Sequence, residues 1–245
     1  MLTRTRHFVL QHNVVILLLL LIVFFALTTG DLFLNGQNIH NVARQISFDI
    51  PLALALTIVL IAGGIDLSVG SVLSMAAALT MGLQPYGTWL AVLIALLFGA
   101  AVGRVNGLLV TKGRLVPFIA TLGTMTVVRG IMLTYTRQQP IPGHDAAFTF
   151  WGAGSIGPIP VPILIVLAIC VAVHILLTYT QFGRNLYAIG GNLEAAFLAG
   201  IDVFRNKVLA FVLSGLLAAV SGSTALILPP MWWLPTSHPS WPAST

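Results

Sequence analysis

The sequence predicts an all-α fold, a polytopic transmembrane helical bundle of about seven spans. Two observations carry this prediction. Hydrophobic residues make up 58% of the 245 residues and charged residues only 7%, whereas a soluble domain carries about 25% charged residues. The apolar residues also form long continuous runs without polar alternation, which is typical of membrane helices and not of barrel strands.

Seven apolar runs approach the length of about 20 residues that a helix needs to cross a bilayer. The first follows a basic N-terminus, but no convincing small-residue cleavage site comes after it, so we expect a membrane helix rather than a signal peptide. The predicted spans cover residues 10–29, 47–64, 68–84, 88–110, 115–135, 159–181 and 207–228. Together they define a transmembrane domain over residues 1–228.

The second and third runs are separated only by residues 63–67, GGIDL. Asp66 is costly at membrane depth unless it caps a helix, pairs with another group or faces water. One interpretation is a tight turn in which Asp66 caps a helix that begins near Ser68. The other is a broken or re-entrant helix that lines a pathway, where irregular backbone is tolerated. The sequence leaves open which of the two residues 41–70 form.

Two later runs carry polar or small residues at helical spacing. Gly99, Gly103 and Gly107 lie four residues apart, which predicts a helix face that another backbone approaches closely. Thr121 and Thr124 belong to a run of hydroxyl residues. Such hydroxyls bond back to their own helix by default, and a water-facing side is the alternative.

Basic residues predict the orientation of the spans. When the N-terminus is placed in the cytoplasm and the spans alternate, only Arg44 and Arg137 fall outside among the basic residues that flank the runs. This agrees with the positive-inside rule. The residues that fall inside are Arg4, Arg6, Lys112, Arg114, Arg184, Arg205 and Lys207.

Residues 182–207 form a polar interval between two apolar runs, and the orientation above places it in the cytoplasm. Asn192 can cap a short helix there, and Glu194 falls in its first turn, where the helix dipole favours an anion. Gly200 can end that helix. The pattern predicts about two helical turns, and an ordinary capped loop is the simplest interpretation.

The sequence excludes several functional classes. It contains no GxxxxGK[ST] phosphate loop, so the chain does not bind ATP by that route. The six histidines are scattered without metal-ligand spacing, and a single cysteine, Cys170, excludes an internal disulfide. The net charge of +5 is spread over the ends of the spans rather than clustered, so nucleic acid is not an expected partner. We expect no cofactor and no enzymatic activity of the chain itself.

Three stretches carry a resemblance to a known family. Glu194-Ala195-Ala196, followed after three residues by Gly200, resembles the EAA loop of ABC importer permeases. Residues 63–71, GGIDLSVGS, and 117–125, PFIATLGTM, look like the corresponding stretches of the ribose-type sugar permeases. From about residue 40 to about residue 222, the chain is similar to the permease subunit of ribose-type ABC sugar importers.

The resemblance implies a multi-pass protein of the bacterial inner (plasma) membrane, embedded in lipid, with a cytoplasmic N-terminus. It implies a second permease subunit, in a homodimer or heterodimer, cytoplasmic ATP-binding subunits that hydrolyse ATP, and a periplasmic sugar-binding protein. The imported substrate would be a ribose-like monosaccharide, moved by alternating access. Which sugar is imported does not follow, because specificity in this family lies chiefly in the binding protein.

The resemblance also assigns residues to two roles. Coupling to the ATPase is expected at Glu194, Ala195, Ala196 and Gly200, within the 182–207 coupling loop. The translocation pathway is expected at Gly64, Asp66, Ser68, Gly70, Thr121 and Thr124.

The C-terminal stretch departs from the family pattern. Residues 229–245 contain five prolines and three of the five tryptophans, and a helix cannot run through that density of proline. Members of the family are longer and carry further helices, so we expect a truncation or frameshift after about residue 222 and an irregular tail over 229–245. A natural shorter variant with an interfacial tail is the alternative.

Two other functions stay open. A secondary transporter or channel would show the same apolar spans, would need no EAA-like loop, and should carry intramembrane ionisable relays. An inactive truncated permease remnant is the other.

Overall fold

The computed structural model describes residues 13–139, 141, 154–157 and 159–225. Over these residues the fold is all-α, as predicted. Two strands of two residues each, β1 (Ser155–Ile156) and β2 (Ile159–Pro160), pair in antiparallel register. The described residues form nine helices, namely α1 (Asn13–Thr29), α2 (Gly36–Ile61), α3 (Val69–Gly82), α4 (Thr88–Thr111), α5 (Pro117–Thr136), α6 (Val161–Tyr179), α7 (Gln181–Gly191), α8 (Leu193–Leu198) and α9 (Val203–Ala225), with 3-10 turns at Gly30–Leu32 and Gln84–Tyr86.

Each predicted span corresponds to a helix, but not all of them are long. Among the described residues, five helices are long and apolar enough to cross a membrane, namely α2, α4, α5, α6 and α9. The helix α3 has only 14 residues, and at 1.5 Å per residue it is about 21 Å long. A hydrocarbon core of about 30 Å is thicker than that, so α3 is shorter than the core it was predicted to span.

The predicted start of the second span at residue 47 was wrong, since α2 begins at Gly36. The side chain of Asn35 accepts a hydrogen bond from the backbone N–H of Gln37 at 3.1 Å, which stabilises the first turn. The first turns of α2 are polar, so hydropathy alone does not reveal them. The apolar part of the helix lies where it was predicted.

The described residues divide into two compact units at Ala43 and Arg44. In the first unit, the rings of Phe25 and Phe33 stack with centroids 5.8 Å apart. The amide of Asn38 donates to the carbonyl of Phe33 at 2.8 Å. The second unit contains α2 from Arg44 onward and all the helices from α3 to α9.

The centre of the second unit is the contact between α4 and α9. A Cβ atom on Gly103 would overlap the backbone carbonyl of Phe211, and one on Gly99 would overlap the carbonyl of Gly215. A Cβ on Gly107 would lie 2.8 Å from the Cα of Val208. The three glycines thus bring the two backbones together, which confirms the close packing that their spacing predicted.

The helix α9 also holds α3 and the end of α2 in place. A Cβ on Gly222 would overlap the carbonyl of Leu73 in α3. The hydroxyls of Thr80 and Ser223 lie 3.0 Å apart, in a buried contact between the same two helices. Buried apolar side chains then fill the space between α2, α3 and α9, among them Ala55, Ile58, Val69, Val72, Ala210 and Leu217.

The tail over residues 229–245 and most of the loop between α5 and α6 lie outside the described residues.

Candidate functional site

The stretch between α2 and α3, residues 62–68, is an irregular segment that we call the break. Its first turn is closed by two backbone bonds, from Gly63 N–H to the Leu60 carbonyl at 3.0 Å and from Gly64 N–H to the Val59 carbonyl at 2.9 Å. Asp66 follows and is only 1% exposed. The break therefore combines non-helical backbone with a buried carboxylate.

Three donors satisfy the carboxylate of Asp66. Its Oδ1 accepts from the backbone N–H of Ser68 at 3.0 Å and from the Ser68 hydroxyl at 2.6 Å. Its Oδ2 accepts from the hydroxyl of Ser214 in α9 at 2.9 Å. Asp66 was expected to cap the helix near Ser68, and it bonds the residue that immediately precedes α3. The bond from Ser214 therefore joins the break to α9.

The same network continues into α4 and α5. The amide of Asn106 donates to the Ser68 hydroxyl at 2.8 Å. The hydroxyl of Thr124 in turn donates to the Asn106 side-chain oxygen at 2.7 Å. A continuous path of hydrogen bonds thus runs from α9 through Asp66 and Ser68 to α4 and α5, and we call it the polar network.

Thr121, in α5, contacts the backbone of the break at Ile65 and Leu67. Its hydroxyl oxygen accepts from the backbone N–H of Leu67 at 3.2 Å and lies 3.2 Å from the Ile65 carbonyl. It also lies 2.9 Å from the carbonyl of Pro117 in its own helix. Bonding to its own helix, the default expectation, is therefore present together with a tertiary contact that the sequence did not reveal.

The six predicted pathway residues thus have different surroundings. Asp66, Ser68, Thr121 and Thr124 belong to or adjoin the polar network. Gly64 is buried, and a Cβ there would lie 3.1 Å from a methyl of Val59. Gly70 is exposed, and no atom lies within 4 Å of the position of its Cβ.

Two residues of the polar network were missed as site residues by the sequence reasoning. Asn106 lies inside an apolar helix between two packing glycines, and a fully buried amide there requires partners. Ser214 is also fully buried. A hydroxyl in an apolar span is so common that no local signal distinguished it.

Residues 181–202, which we name the coupling segment after the role expected of the interval 182–207, contain two helices. The first, α7, is amphipathic. Gly183, Leu186 and Ile189, spaced three apart, are buried, whereas Arg184 and Tyr187 are exposed. A helix with one buried face lies against the bundle and does not cross a membrane by itself.

The second helix, α8, has the predicted caps. The side chain of Asn192 accepts from the backbone N–H of Ala195 at 3.0 Å, and Glu194 lies in the first turn. Gly200 has φ +81°, a left-handed conformation that glycine adopts without steric cost. The Ile201 N–H bonds back to the Ala196 carbonyl at 3.1 Å and closes the C-terminal turn.

Apolar side chains on α8 project away from the bundle. Phe197 is 71% exposed and Leu198 is 85% exposed. Glu194, Ala195 and Gly200 are also exposed, while Ala196 is buried. Large exposed apolar side chains mark a surface that binds another protein or a membrane.

Basic residues flank the coupling segment. The ammonium group of Lys112, at the C-terminal end of α4, lies 5.4 Å from the ring centroid of Phe204 at the start of α9. Arg205 pairs with Asp202 at 3.4 Å, and both side chains are exposed. The turn between α4 and α5 therefore lies beside the beginning of α9.

Comparison with known proteins gives a consistent result. Residues 38–229 match the family model described as branched-chain amino acid transport system / permease component. The chain is 43% identical over 195 residues to the ribose import permease protein RbsC of Bacillus subtilis, covering 78% of this chain and 61% of that relative. It is 36% identical over 197 residues to the ribose import permease protein RbsC of Escherichia coli K12, with the same two shares.

Other curated relatives carry the names of other sugars. The D-allose transport system permease protein AlsC of Escherichia coli K12 is 34% identical over 201 residues, which cover 81% of this chain and 62% of that relative. The chain thus spans about three fifths of the length of these relatives. No solved structure matches the chain.

Proposed function

The chain belongs to the family of branched-chain amino acid transport system permease components, and on that premise we propose that it is the membrane subunit of an ATP-driven, binding-protein-dependent importer of a ribose-like monosaccharide. The chain is a multi-pass membrane protein, and the part that the structure describes contains five helices long and apolar enough to cross a bilayer. The names of its relatives, which refer to ribose and allose import, support the sugar as substrate class.

The observation that carries the proposal is the exposed, doubly capped helix α8. Its apolar side chains Phe197 and Leu198 are largely exposed, although the helix is ordered by Asn192 at one end and Gly200 at the other. Exposed apolar surface of this kind gains stability when a partner covers it. We infer that the partner is a cytoplasmic ATP-binding subunit, which hydrolyses ATP while α8 transmits the movement.

The coupling residues would have different tasks within α8. Glu194 and Ala195 face outward and would contact the ATPase. Ala196 faces the permease, and its small side chain lets α8 lie close to the neighbouring helices. Gly200 supplies the left-handed turn that redirects the chain into α9.

The polar network would lie at the cytoplasmic end of the translocation pathway. Asn106 precedes the end of α4 by five residues, and Thr121 follows the start of α5 by four. Both therefore lie about 8 Å or less along the helix from the α4–α5 turn. That turn carries Lys112 and Arg114, which the positive-inside rule places in the cytoplasm together with the N-terminus. Asp66, Ser68 and Thr124 would close the pathway here, with Gly64 and Gly70 beside them.

Two further partners follow from the family resemblance. A second permease subunit, identical or related, would complete the pathway in the bacterial inner membrane. A periplasmic binding protein would deliver the sugar.

An affinity pull-down tests the proposal. The tagged chain is expressed in membranes of a bacterium that contains a ribose importer, and its partners are identified by mass spectrometry. Wild type should recover an ATP-binding subunit. Phe197→Ser should lose the subunit, because the substitution removes the exposed aromatic ring of α8. Gly200→Trp should lose it as well, because the large side chain obstructs the turn after α8. Tyr86→Ser is the matched control, since Tyr86 is similarly exposed but lies in the 3-10 turn between α3 and α4.

The alternative, a secondary transporter or channel, predicts a different result. It would recover no ATP-binding subunit with wild type, and Phe197→Ser would leave transport unchanged. It would also need ionisable groups that exchange protons or ions at membrane depth. Among the described residues the one buried acid is Asp66, and its oxygens are already occupied by Ser68 and Ser214.

A further inference from the structure

Residues on both sides of α8 hold the break. Gly190, two residues before Asn192, lies against the end of α2 and the start of the break. Ser214, in the helix that follows α8, bonds to Asp66 inside the break. The coupling segment and its continuation therefore contact the same seven-residue segment from two directions.

The contact at Gly190 leaves no space. A Cβ on Gly190 would overlap the backbone carbonyl of Ile61 and would lie 3.6 Å from the backbone nitrogen of Gly63. The neighbouring Gly191 has no atom within 4 Å of its Cβ position. The close approach is thus specific to Gly190, where the backbone of α7 touches the backbone at the entrance of the break.

The helix α7 has no freedom to move separately from that contact. Leu186, one turn before Gly190, is fully buried in the apolar cluster with Ala55, Ile58 and Ala62. The side chain of Asn185 also donates to that of Asn206 in α9 at 3.4 Å. Since packed interiors transmit displacement rather than absorb it, a shift of α7 displaces the end of α2.

The contact at Ser214 is reached through a continuous helix. The helix α9 begins at Val203, shortly after α8 ends at Leu198. Ser214 lies 11 residues further along, which is about 17 Å of unbroken helix. The bond from Ser214 to Asp66 Oδ2 thus connects a rigid element that starts beside α8 to the buried carboxylate.

We propose that Gly190 and Ser214 are positioning residues through which displacement of α8 changes the conformation of the break. This inference rests on the proposed function, because an ATPase must displace α8. The contact at Gly190 moves the end of α2, and Ser214 moves the carboxylate of Asp66. The polar network can exchange partners as this happens, because its hydroxyl and amide groups both donate and accept hydrogen bonds.

Two variants and two matched controls test the inference. Gly190→Ala places a methyl against the Ile61 carbonyl, and Gly191→Ala is its control in open space. Ser214→Ala removes the donor to Asp66. Its control is Ser74→Ala, whose hydroxyl bonds to the Gly70 carbonyl of its own turn at 3.0 Å.

The measurement is hydrogen exchange of the backbone amides in the break, by mass spectrometry. It uses the full chain in lipid nanodiscs, in complex with the ATP-binding subunit recovered in the pull-down. Exchange is compared without nucleotide and with a non-hydrolysable ATP analogue. Wild type and both controls should show a nucleotide-dependent change in exchange at residues 62–68. Gly190→Ala and Ser214→Ala should bind the subunit as wild type does, yet lose that change.

Each outcome separates the inference from the proposed function. Failure of wild type to recover any ATP-binding subunit refutes the proposed function. Recovery of the subunit without a nucleotide-dependent change in the break, or with the same change in both variants, overturns only this inference. A general loss of structure would raise exchange in both nucleotide states. The raised exchange without nucleotide distinguishes it from the expected result. If Gly190→Ala does not fold, Ser214→Ala decides, because it only removes an oxygen.

Discussion

Gly103→Ala should weaken the contact between α4 and α9 that forms the centre of the bundle. The added methyl would overlap the carbonyl oxygen of Phe211 and lie within 3 Å of Val212 Cα. Both are backbone atoms that no side-chain rotation can move, so the two helices must separate. Overpacking of this kind costs about 3 kcal/mol, at the upper end of the usual range. Separation also loosens the adjacent contacts at Gly99 and Gly107.

Gly123→Ala is the matched control. Gly123 lies inside α5, and no atom is within 4 Å of its Cβ position. Both substitutions gain the helix propensity of alanine over glycine, about 1 kcal/mol. We therefore expect Gly103→Ala to be destabilised by about 2 kcal/mol and Gly123→Ala to be stabilised by about 1 kcal/mol. The difference between them, about 3 kcal/mol, isolates the steric term.

The assay is unfolding of the purified chain from bicelles by titration with sodium dodecyl sulfate, followed by tryptophan fluorescence. The midpoint for Gly103→Ala should lie at a clearly lower detergent fraction than the midpoint for Gly123→Ala. Equal midpoints would refute the reasoning, because they would mean that α4 and α9 do not approach as closely as the structure shows.

Three further outcomes are expected in the same unfolding assay or alongside it. Asp66→Ala should cost about 3 kcal/mol, because it leaves two buried hydroxyls without their acceptor; Asp66→Asn keeps one acceptor oxygen and should cost less, and a negligible loss in Asp66→Ala would contradict the role of the carboxylate. Asn192→Ala should lose about 1 kcal/mol of local stability at the N-terminus of α8, seen as faster amide exchange at Ala195; unchanged exchange would speak against the cap. Thr80→Val should cost about 1 kcal/mol, and combining it with Ser223→Ala should cost less than the sum of the two, since the residues share one bond; strict additivity would show that they do not interact.

Local patterns in the sequence were sufficient to predict several elements. The helix from Leu193 to Leu198 was predicted from Asn192, Glu194 and Gly200, because caps and the helix dipole act within one turn of the chain. The close packing of the glycine face in α4 was also predicted, since four-residue spacing places glycines on one side of a helix. Neither pattern depends on what lies elsewhere in the chain.

Partners distant in sequence could not be predicted. The spacing in α4 indicated a close neighbour, but it did not identify α9, which lies more than 90 residues later. Asp66 was expected to need a cap, a pair or water; one partner, Ser68, is local, but the other, Ser214, lies 148 residues away. Amphipathic α7 was assigned to a loop, because its 11 residues are too few and too polar to read as a span.

The position of α9 in the chain has a consequence for biogenesis. It is the last of the described helices to leave the ribosome, yet α3 and α4 both make their closest contacts with it, at Gly222 and at Gly99 and Gly103. The carboxylate of Asp66 likewise receives one of its donors only when Ser214 arrives. Until then, the glycine face of α4 and the short helix α3 must be accommodated by lipid, water or the insertion machinery. Membrane insertion of this protein therefore precedes the formation of its core, and a ribosome stalled before α9 would leave an inserted but unassembled chain.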